Sequence, residues 1–301
     1  TSANCWLTVS GSNGETQRVP IPRGALEFVF HHKNLGVLTT LRIAHDNSGL
    51  SPKWMVEYII VRNEVTGHTY NFPCGRWLGR GVDDDSTERL LVGERVSEHS
   101  ERGRSHNSPR VRSPSVPPPR RPLPVADIQT MLGDCLNNIV KFYHHSNQDH
   151  LSSWTLLLCG ETGLVACLEQ VFLYGFKSVR LFGRNLYVWD FIAKVKEEKE
   201  VIGECDDVTR YYCDLVDKVL SAGHTLGKDG RFQLFVCLCA RDGMLADTLL
   251  GVMAASRAVQ DMYEEQSFLR DPNLLLYITQ ILESLNEYDI VLENSLTQGI
   301  S

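Results

Sequence analysis

The residues that could support catalysis occur in short groups, and each group lacks an essential member. Gly223 to Lys228 is similar to a phosphate-binding loop, but it has three residues between its glycines instead of four and no Ser or Thr after the lysine. His45 and Asp46 could form a catalytic pair, but no Gly-x-Ser-x-Gly nucleophile turn accompanies them. A turn at a strand end explains Asp46 better. We therefore predict no enzyme activity and no cofactor.

Histidines and aspartates that could bind a metal ion also occur in groups, but their spacing does not favour a shared metal ion. The adjacent pairs His31–His32 and His144–His145 would diverge on a strand and lie about 100° apart on a helix. Solvated or capping histidines are the simpler interpretation. Asp83, Asp84 and Asp85 could bind calcium through their carboxylates, although a polar loop at the end of a domain is the simpler interpretation. We predict no metal site.

One group of basic residues has the features of a binding site. Lys177, Arg180 and Arg184 lie between two apolar segments, in a region (125–301) that carries 14 basic and 25 acidic residues. A local positive patch in an acidic domain could meet an acidic surface on a partner protein. The alternative is that these residues cap the helix that ends near Tyr174 and pair with nearby carboxylates.

Residues 94–124 contain seven prolines, six serines and seven arginines. Such a composition cannot bury enough apolar surface to offset the entropy of ordering, so we predict a disordered linker. Within it, Ser113 and Ser115 belong to an Arg-Ser-x-Ser-x-Pro motif of the form that 14-3-3 proteins bind when Ser115 is phosphorylated. The alternative is a chance match in an Arg/Ser/Pro-rich segment.

The bulk composition limits the class of protein. The chain has 301 residues and a net charge of −7, and the acidic excess lies in its second half, which argues against nucleic acid as a partner. Nine cysteines without a Cys-x-x-Cys pair indicate free thiols in a reducing, cytosolic compartment. No secretion signal and no run of about 18 apolar residues are visible, so we expect no membrane-spanning segment.

The first part of the chain has the period of β-strands. Short β-branched and aromatic segments separated by turn residues predict an antiparallel β-sandwich with the strands 6–9, 25–30, 37–43, 54–61 and 69–72. The segment Leu41–Trp54 resembles the signature of the PLAT (lipoxygenase-homology) sandwich, and Val61–Arg62, Tyr70–Cys74 and Arg76–Leu78 continue the match. The first strand of that family has no counterpart, so we expect the chain to be a piece of a longer protein.

From Val125 the period becomes helical, which predicts an all-α bundle of about eight helices. Its centre is the strongly apolar segment Leu156–Val195, whose two helices must be buried by the rest of the bundle. Four blocks of this region resemble a RUN domain: Leu158–Val165, Phe172–Lys177, Leu181–Arg184 and Tyr187–Ile192. That family implies docking onto small GTPases of the Rab and Rap type, through a face that family analogy assigns to the first and last helices.

The predicted organisation is therefore a PLAT-like sandwich at 1–93, a linker at 94–124 and a RUN-like bundle at 125–301. This order resembles the C-terminal part of Rab regulators with a DENN–RUN–PLAT–RUN layout. The resemblance implies a non-catalytic interaction module in membrane traffic, with guanine-nucleotide exchange activity in an upstream DENN module. It also implies a cytoplasmic protein at Golgi or endosomal membranes. The alternative function is membrane recruitment through the sandwich and the basic linker.

Overall fold

The computed structural model describes residues 1–96, 123–145, 154–178, 185–203, 206–222 and 225–297. The chain divides into two compact units, Thr1–Arg120 and Arg121–Ser301. Each unit has its own cluster of buried apolar side chains, which indicates two separate hydrophobic cores.

The described part of the first unit is built from two antiparallel β-sheets. One sheet has the order β2-β1-β4-β7, with β3 also paired to β1, and the other has the order β5-β6-β8. The strands are β1 (Cys5–Gly11), β2 (Gly14–Glu15), β3 (Val19–Ile21), β4 (Leu38–His45), β5 (Trp54–Arg62), β6 (Thr69–Leu78), β7 (Glu88–Val92) and β8 (Glu94–Arg95).

The core of this unit consists of inward-facing residues from both sheets. Leu41 and Ile43 alternate along β4, and Tyr70 and Phe72 alternate along β6, all fully or almost fully buried. Because successive side chains of a strand point to opposite faces, Arg42 and Asn71 lie on the other face and are less buried. The predicted antiparallel β architecture is confirmed.

Two sequence predictions fail in this unit. Residues 25–30 form no strand: Leu26 and Val29 are exposed, and only Phe28 and Phe30 pack partly against the core. The apolar alternation in this segment arises because Phe28 and Phe30 face the core, although the segment has no hydrogen-bonded partner strand. In addition, Glu94 and Arg95, assigned to the linker, form β8 and pair with β6. The rest of the linker from residue 97 to 122, including Ser113 and Ser115, lies outside the described residues.

The second unit is helical in its described residues, as predicted. Its α-helices are α1 (Val125–His145), α2 (Trp154–Cys159), α3 (Leu164–Leu173), α4 (Val188–Ile202), α5 (Asp207–Ser221), α6 (Lys228–Arg241), α7 (Leu245–Asp247), α8 (Ala258–Met262) and α9 (Pro272–Ser284). A π-helix (Thr248–Ala254) follows α7, and a 3-10 turn (Leu285–Glu287) follows α9.

The aromatic residues of α3 and α4 lie at the centre of this unit, as predicted for a buried helical pair. Phe191 is fully buried, with ring centroids 4.9 Å from Tyr263 and 6.4 Å from Phe172. Phe172 in turn packs edge-to-face on Phe232 of α6. Tilted and edge-to-face aromatic pairs at these distances stabilise the fold by more than the burial of their apolar surface alone.

The expectation that no segment is apolar enough to span a membrane needs correction. Among the described residues, Trp154–Leu173 is long and apolar enough by length and composition. The structure divides this segment into α2 and α3 at Gly160–Gly163. Leu158, Leu168 and Val171 of these two helices belong to the buried core of the helical unit.

The segment from Met244 to Ala255 is irregular. It contains the short helix α7 and then seven residues of π-helix. The Thr248 hydroxyl donates to the carbonyl oxygens of Met244 (2.7 Å) and Leu245 (3.1 Å). Back-bonding of this kind competes with the regular backbone pattern and accounts for a change of pitch at this residue.

Candidate docking site

The connector between α3 and α4 is closed at its base by main-chain hydrogen bonds. The Leu186 N–H donates to the Ser178 carbonyl at 2.7 Å, so the two ends of the connector lie side by side. The Lys177 N–H donates to the Met262 carbonyl at 2.9 Å, and Phe176 forms a β-bridge with Tyr263. These contacts fix the backbone at Lys177 against the end of α8.

Two lysines and one aspartate carry the charge at this position. Lys194 Nζ lies 2.8 Å from Asp261 Oδ2, and Lys177 is exposed nearby. The hydrogen bond from Lys194 is the largest influence that lowers the pKa of Asp261, and the positive charges of Lys194 and Lys177 lower it further. We call Lys177, Ser178, Leu186, Lys194 and Asp261 the connector base. It presents ammonium groups to solvent in an otherwise acidic unit.

The structure describes only one member of the predicted basic cluster. Lys177 is exposed, as a docking residue must be. Arg180 and Arg184 lie outside the described residues. The partner-binding role of the three residues therefore stays a prediction.

Sequence reasoning missed the second half of this site. Lys194, which the sequence did not single out, pairs with Asp261, 67 residues further along the chain. Glu198, one turn after Lys194, accepts hydrogen bonds from the N–H groups of Arg257 (2.8 Å) and Ala258 (2.9 Å) at the start of α8. The i,i+4 spacing of Lys194 and Glu198 indicated a shared helix face, but not the segment that faces it.

The acidic loop considered for calcium is occupied by protein groups. Asp83 accepts two hydrogen bonds from Arg76, both 2.6 Å long, and Arg89 pairs with both Asp83 and Asp84. Asp85 accepts from the Gly81 N–H at 2.6 Å. The carboxylates are thus committed to arginines and backbone donors. Within the residues the structure describes, no group of three or more His, Cys, Asp or Glu side chains could hold a metal ion.

His45 and Asp46 form a turn, in agreement with the simpler interpretation. Asp46 Oδ1 accepts from the Ser48 N–H at 3.0 Å, and Oδ2 accepts from the Asn4 side chain at 2.6 Å. Hydrogen bonds to Ser48 and Asn4 lower the pKa of Asp46. His45 is buried, and its Nδ1 accepts from the Asn47 N–H at 3.0 Å.

The same end of the β-sandwich carries two apolar loop tips. Arg23 donates to Asn4 at 3.1 Å, and Asn4 binds Asp46, so the loops that follow β3 and β4 meet there. Leu26 and Leu50, one on each loop, are fully exposed (104% each). Arg23 and Lys53 are exposed on the same two loops. We call Arg23, Leu26, Leu50 and Lys53 the leucine end.

Comparison with known protein families assigns each unit. Residues 1–92 match the PLAT/LH2 domain, and residues 163–296 match the RUN domain. The chain contains a PLAT domain followed by a RUN domain. The RUN match begins at Gly163, so α1 and α2 precede it.

Similar curated proteins match about a third of this chain. Mouse lipoxygenase homology domain-containing protein 1 is 37% identical over 100 residues, which cover 30% of this chain and 5% of the relative. Human polycystin-1-like protein 3 is 31% identical over 102 residues, which cover 31% of this chain and 6% of that protein. The chain thus spans about a twentieth of the length of these relatives. A solved coral 8R-lipoxygenase is similar over 31% of this chain and 14% of its own, with 19% identity and a TM-score of 0.26.

Proposed function

We propose that the chain is a non-catalytic interaction module of a Rab GTPase regulator, and that its RUN domain docks a small GTPase of the Rab type or a sorting protein. The observation that carries this proposal is the RUN domain at residues 163–296, a domain associated with small-GTPase interactions. The groups considered for catalysis or metal binding have structural partners, which supports a non-catalytic role. His45 and Asp46 stabilise a turn, and the acidic loop binds arginines.

The parent protein is proposed to be a DENN-family exchange factor. A PLAT domain followed by a RUN domain resembles the C-terminal part of DENN domain-containing protein 5 (A or B), in which exchange activity belongs to an upstream DENN module. On this proposal the protein is cytoplasmic and acts at Golgi or endosomal membranes. Phosphorylated Ser115 would add a 14-3-3 site between the two domains.

Within the RUN domain, the connector base is the docking surface that we propose. Lys177 is exposed and is held by its backbone rather than by its side chain, so its ammonium group is available for an acidic partner. Charge complementarity of this kind mainly raises the association rate and selects the partner.

Pulldown from a panel of Rab proteins tests both parts of the proposal. The whole chain is immobilised and exposed to GTP-analogue-loaded and GDP-loaded proteins, beside the variants Lys177→Glu and Lys218→Glu. Lys218 is also an exposed lysine, on α5, so it controls for the charge change. We expect nucleotide-dependent capture that falls about tenfold in Lys177→Glu, or about 1.4 kcal/mol, and is unchanged in Lys218→Glu.

Two results would count against it. If no Rab protein is captured in either nucleotide state, the GTPase-docking function is wrong. If the wild-type chain captures a partner and Lys177→Glu captures it equally well, docking occurs elsewhere on the RUN domain.

A second function, peripheral membrane recruitment, is favoured by the leucine end. A PLAT domain suggests membrane association, and fully exposed leucines beside basic side chains suit an anionic lipid surface. Burying a leucine side chain in the bilayer gains about 1.5–3 kcal/mol, so two leucines contribute a useful part of a reversible attachment.

Vesicle flotation with a matched control tests this function. Leu26→Asp with Leu50→Asp should abolish most of the binding to vesicles that contain phosphatidylserine. Val65→Asp is the control, because Val65 is 95% exposed in the turn between β5 and β6, at the far end of β5 from Leu50. If Val65→Asp loses as much vesicle binding as the double variant, the added negative charge accounts for the loss and the leucine end does not.

A further inference from the structure

Two cysteines from separate helices lie in direct contact in the helical unit. Cys159 is the last residue of α2, and Cys237 lies in the middle of α6. Their sulfur atoms are 3.3 Å apart, although the residues are 78 positions apart in the chain. A disulfide requires about 2.05 Å between sulfurs, so closing the bond needs a movement of little more than 1 Å.

The two thiols differ in their access to solvent. Cys159 is only partly buried, because it stands where α2 ends. Cys237 is fully buried. The hydrogen bond with Cys159 and burial raise the pKa of Cys237, which favours its thiol form. An oxidant from solvent therefore meets Cys159 first.

We propose that Cys159 and Cys237 form an oxidative modification site, in which hydrogen peroxide or a related peroxide converts the pair into a disulfide that joins α2 to α6. The Cys159 thiolate attacks one peroxide oxygen, which breaks the O–O bond and gives a sulfenic acid and, after protonation, water. The Cys237 sulfur then attacks the sulfenic sulfur, forms the S–S bond and releases a second water. Two thiols lose two electrons, and the peroxide gains them.

A second thiol pair in the same unit provides an internal control. Cys135 of α1 and Cys167 of α3 are also joined by a hydrogen bond, and both are fully or almost fully buried. That hydrogen bond and burial raise the pKa of Cys135. Because both residues are almost fully buried, this pair should oxidise much more slowly than Cys159 and Cys237.

The test uses the reduced whole chain and a small excess of hydrogen peroxide. Remaining thiols are alkylated, and the peptides are mapped by mass spectrometry without reduction. We expect a Cys159–Cys237 cross-link that forms at least tenfold faster than any Cys135–Cys167 cross-link and that dithiothreitol reverses. Cys159→Ser should remove the cross-link, and Cys237→Ala should leave a Cys159 sulfenic acid that dimedone traps.

The proposal is overturned if Cys159 and Cys237 both remain alkylatable while the partly buried Cys213 is oxidised. It is also overturned if the two pairs oxidise at the same rate, since the reaction would then follow unfolding. Circular dichroism of each variant establishes that it is folded. If Cys237→Ala does not fold, the rate of the mapped Cys159–Cys237 cross-link in the wild-type chain, relative to Cys135–Cys167, decides the question.

Discussion

Asp83 accepts hydrogen bonds from Arg76 at a position where its own backbone is unusual. Its φ is 49°, in the left-handed region that asparagine and aspartate tolerate better than most residues. The side chain is 9% exposed and that of Arg76 is 19% exposed, so the pair is largely removed from water. Loss of the carboxylate charge would leave a partly buried guanidinium without its main counter-charge.

Replacing Asp83 with asparagine isolates this electrostatic effect, because asparagine also tolerates positive φ. We expect Asp83→Asn to lower the free energy of unfolding of the PLAT domain by about 1–3 kcal/mol. Glu57→Gln, at an exposed position on β5, removes the same charge and should change it by less than about 0.5 kcal/mol. Differential scanning calorimetry of both variants measures the difference, and equal transition temperatures would contradict this account.

His45 makes the stability of the PLAT domain depend on pH. Burial lowers the pKa of His45 below its ordinary value of about 6.5, and the charge of Asp46 opposes this only in part. A lowered pKa means that the folded state favours the neutral imidazole. The contribution of His45 to the free energy of unfolding is therefore complete above about pH 6.5. As the pH falls below that value, the unfolded chain binds a proton that the folded chain does not, and stability is lost.

Calorimetry at about pH 7.5 and about pH 5.5 measures this effect, with a slope of at most about 1.4 kcal/mol per pH unit for one proton. His45→Gln keeps a polar side chain but cannot titrate, so its PLAT transition should shift less between the two values. An identical shift in wild type and variant would assign the pH dependence to other groups.

At the scale of elements, α4 carries both a core face and a free face, which permits a matched comparison. Phe191 is fully buried among aromatic rings, whereas Val201 is 88% exposed near the end of the same helix. Phe191→Ala should lower the free energy of unfolding of the helical unit by about 3–5 kcal/mol, because it leaves a cavity. Val201→Ala should cost less than about 0.5 kcal/mol.

Urea unfolding followed by circular dichroism at helical wavelengths provides the measurement. If Phe191→Ala does not fold, Phe191→Leu retains most of the volume and should give a smaller loss in the same direction. Similar losses for Phe191 and Val201 would mean that α4 is not part of the core.

Periodicity predicted most elements because it reports which side chains are buried. It predicted the helical bundle from Val125 with its buried central helices, and it placed β1, β4 and β5 within a few residues. It failed at 25–30, where Phe28 and Phe30 face the core without a strand partner, since the pattern carries no information on pairing. The same limit applies to the candidate site. Lys177 was identified from its neighbours in sequence, but its relation to Asp261 depends on tertiary packing.

At the scale of the whole molecule, the proposed membrane recruitment has two candidate sources, charge and exposed leucines. Residues 94–124 carry a net charge of +4, while the leucine end offers apolar side chains. Electrostatic attraction weakens with salt because the Debye length falls from about 10 Å at 0.1 M to about 3 Å at 1 M. Apolar insertion does not weaken in this way.

Flotation across a salt series therefore separates the two contributions. We expect wild-type chains to keep part of their vesicle binding at high salt, and the variant with Leu26→Asp and Leu50→Asp to lose all of it. If salt removes wild-type binding completely, the arginine-rich segment accounts for the attachment and the leucine end does not contribute.

The hydrogen bond between Leu186 and Ser178 has a practical consequence for engineering. Since this hydrogen bond holds Ser178 beside Leu186, a substitution of the residues between them should leave the ends of α3 and α4 in place. A short epitope or a fluorescent label grafted there should leave the bundle intact. A family of such grafts would show whether partner choice among related proteins resides in this interchangeable segment or in the scaffold beneath it.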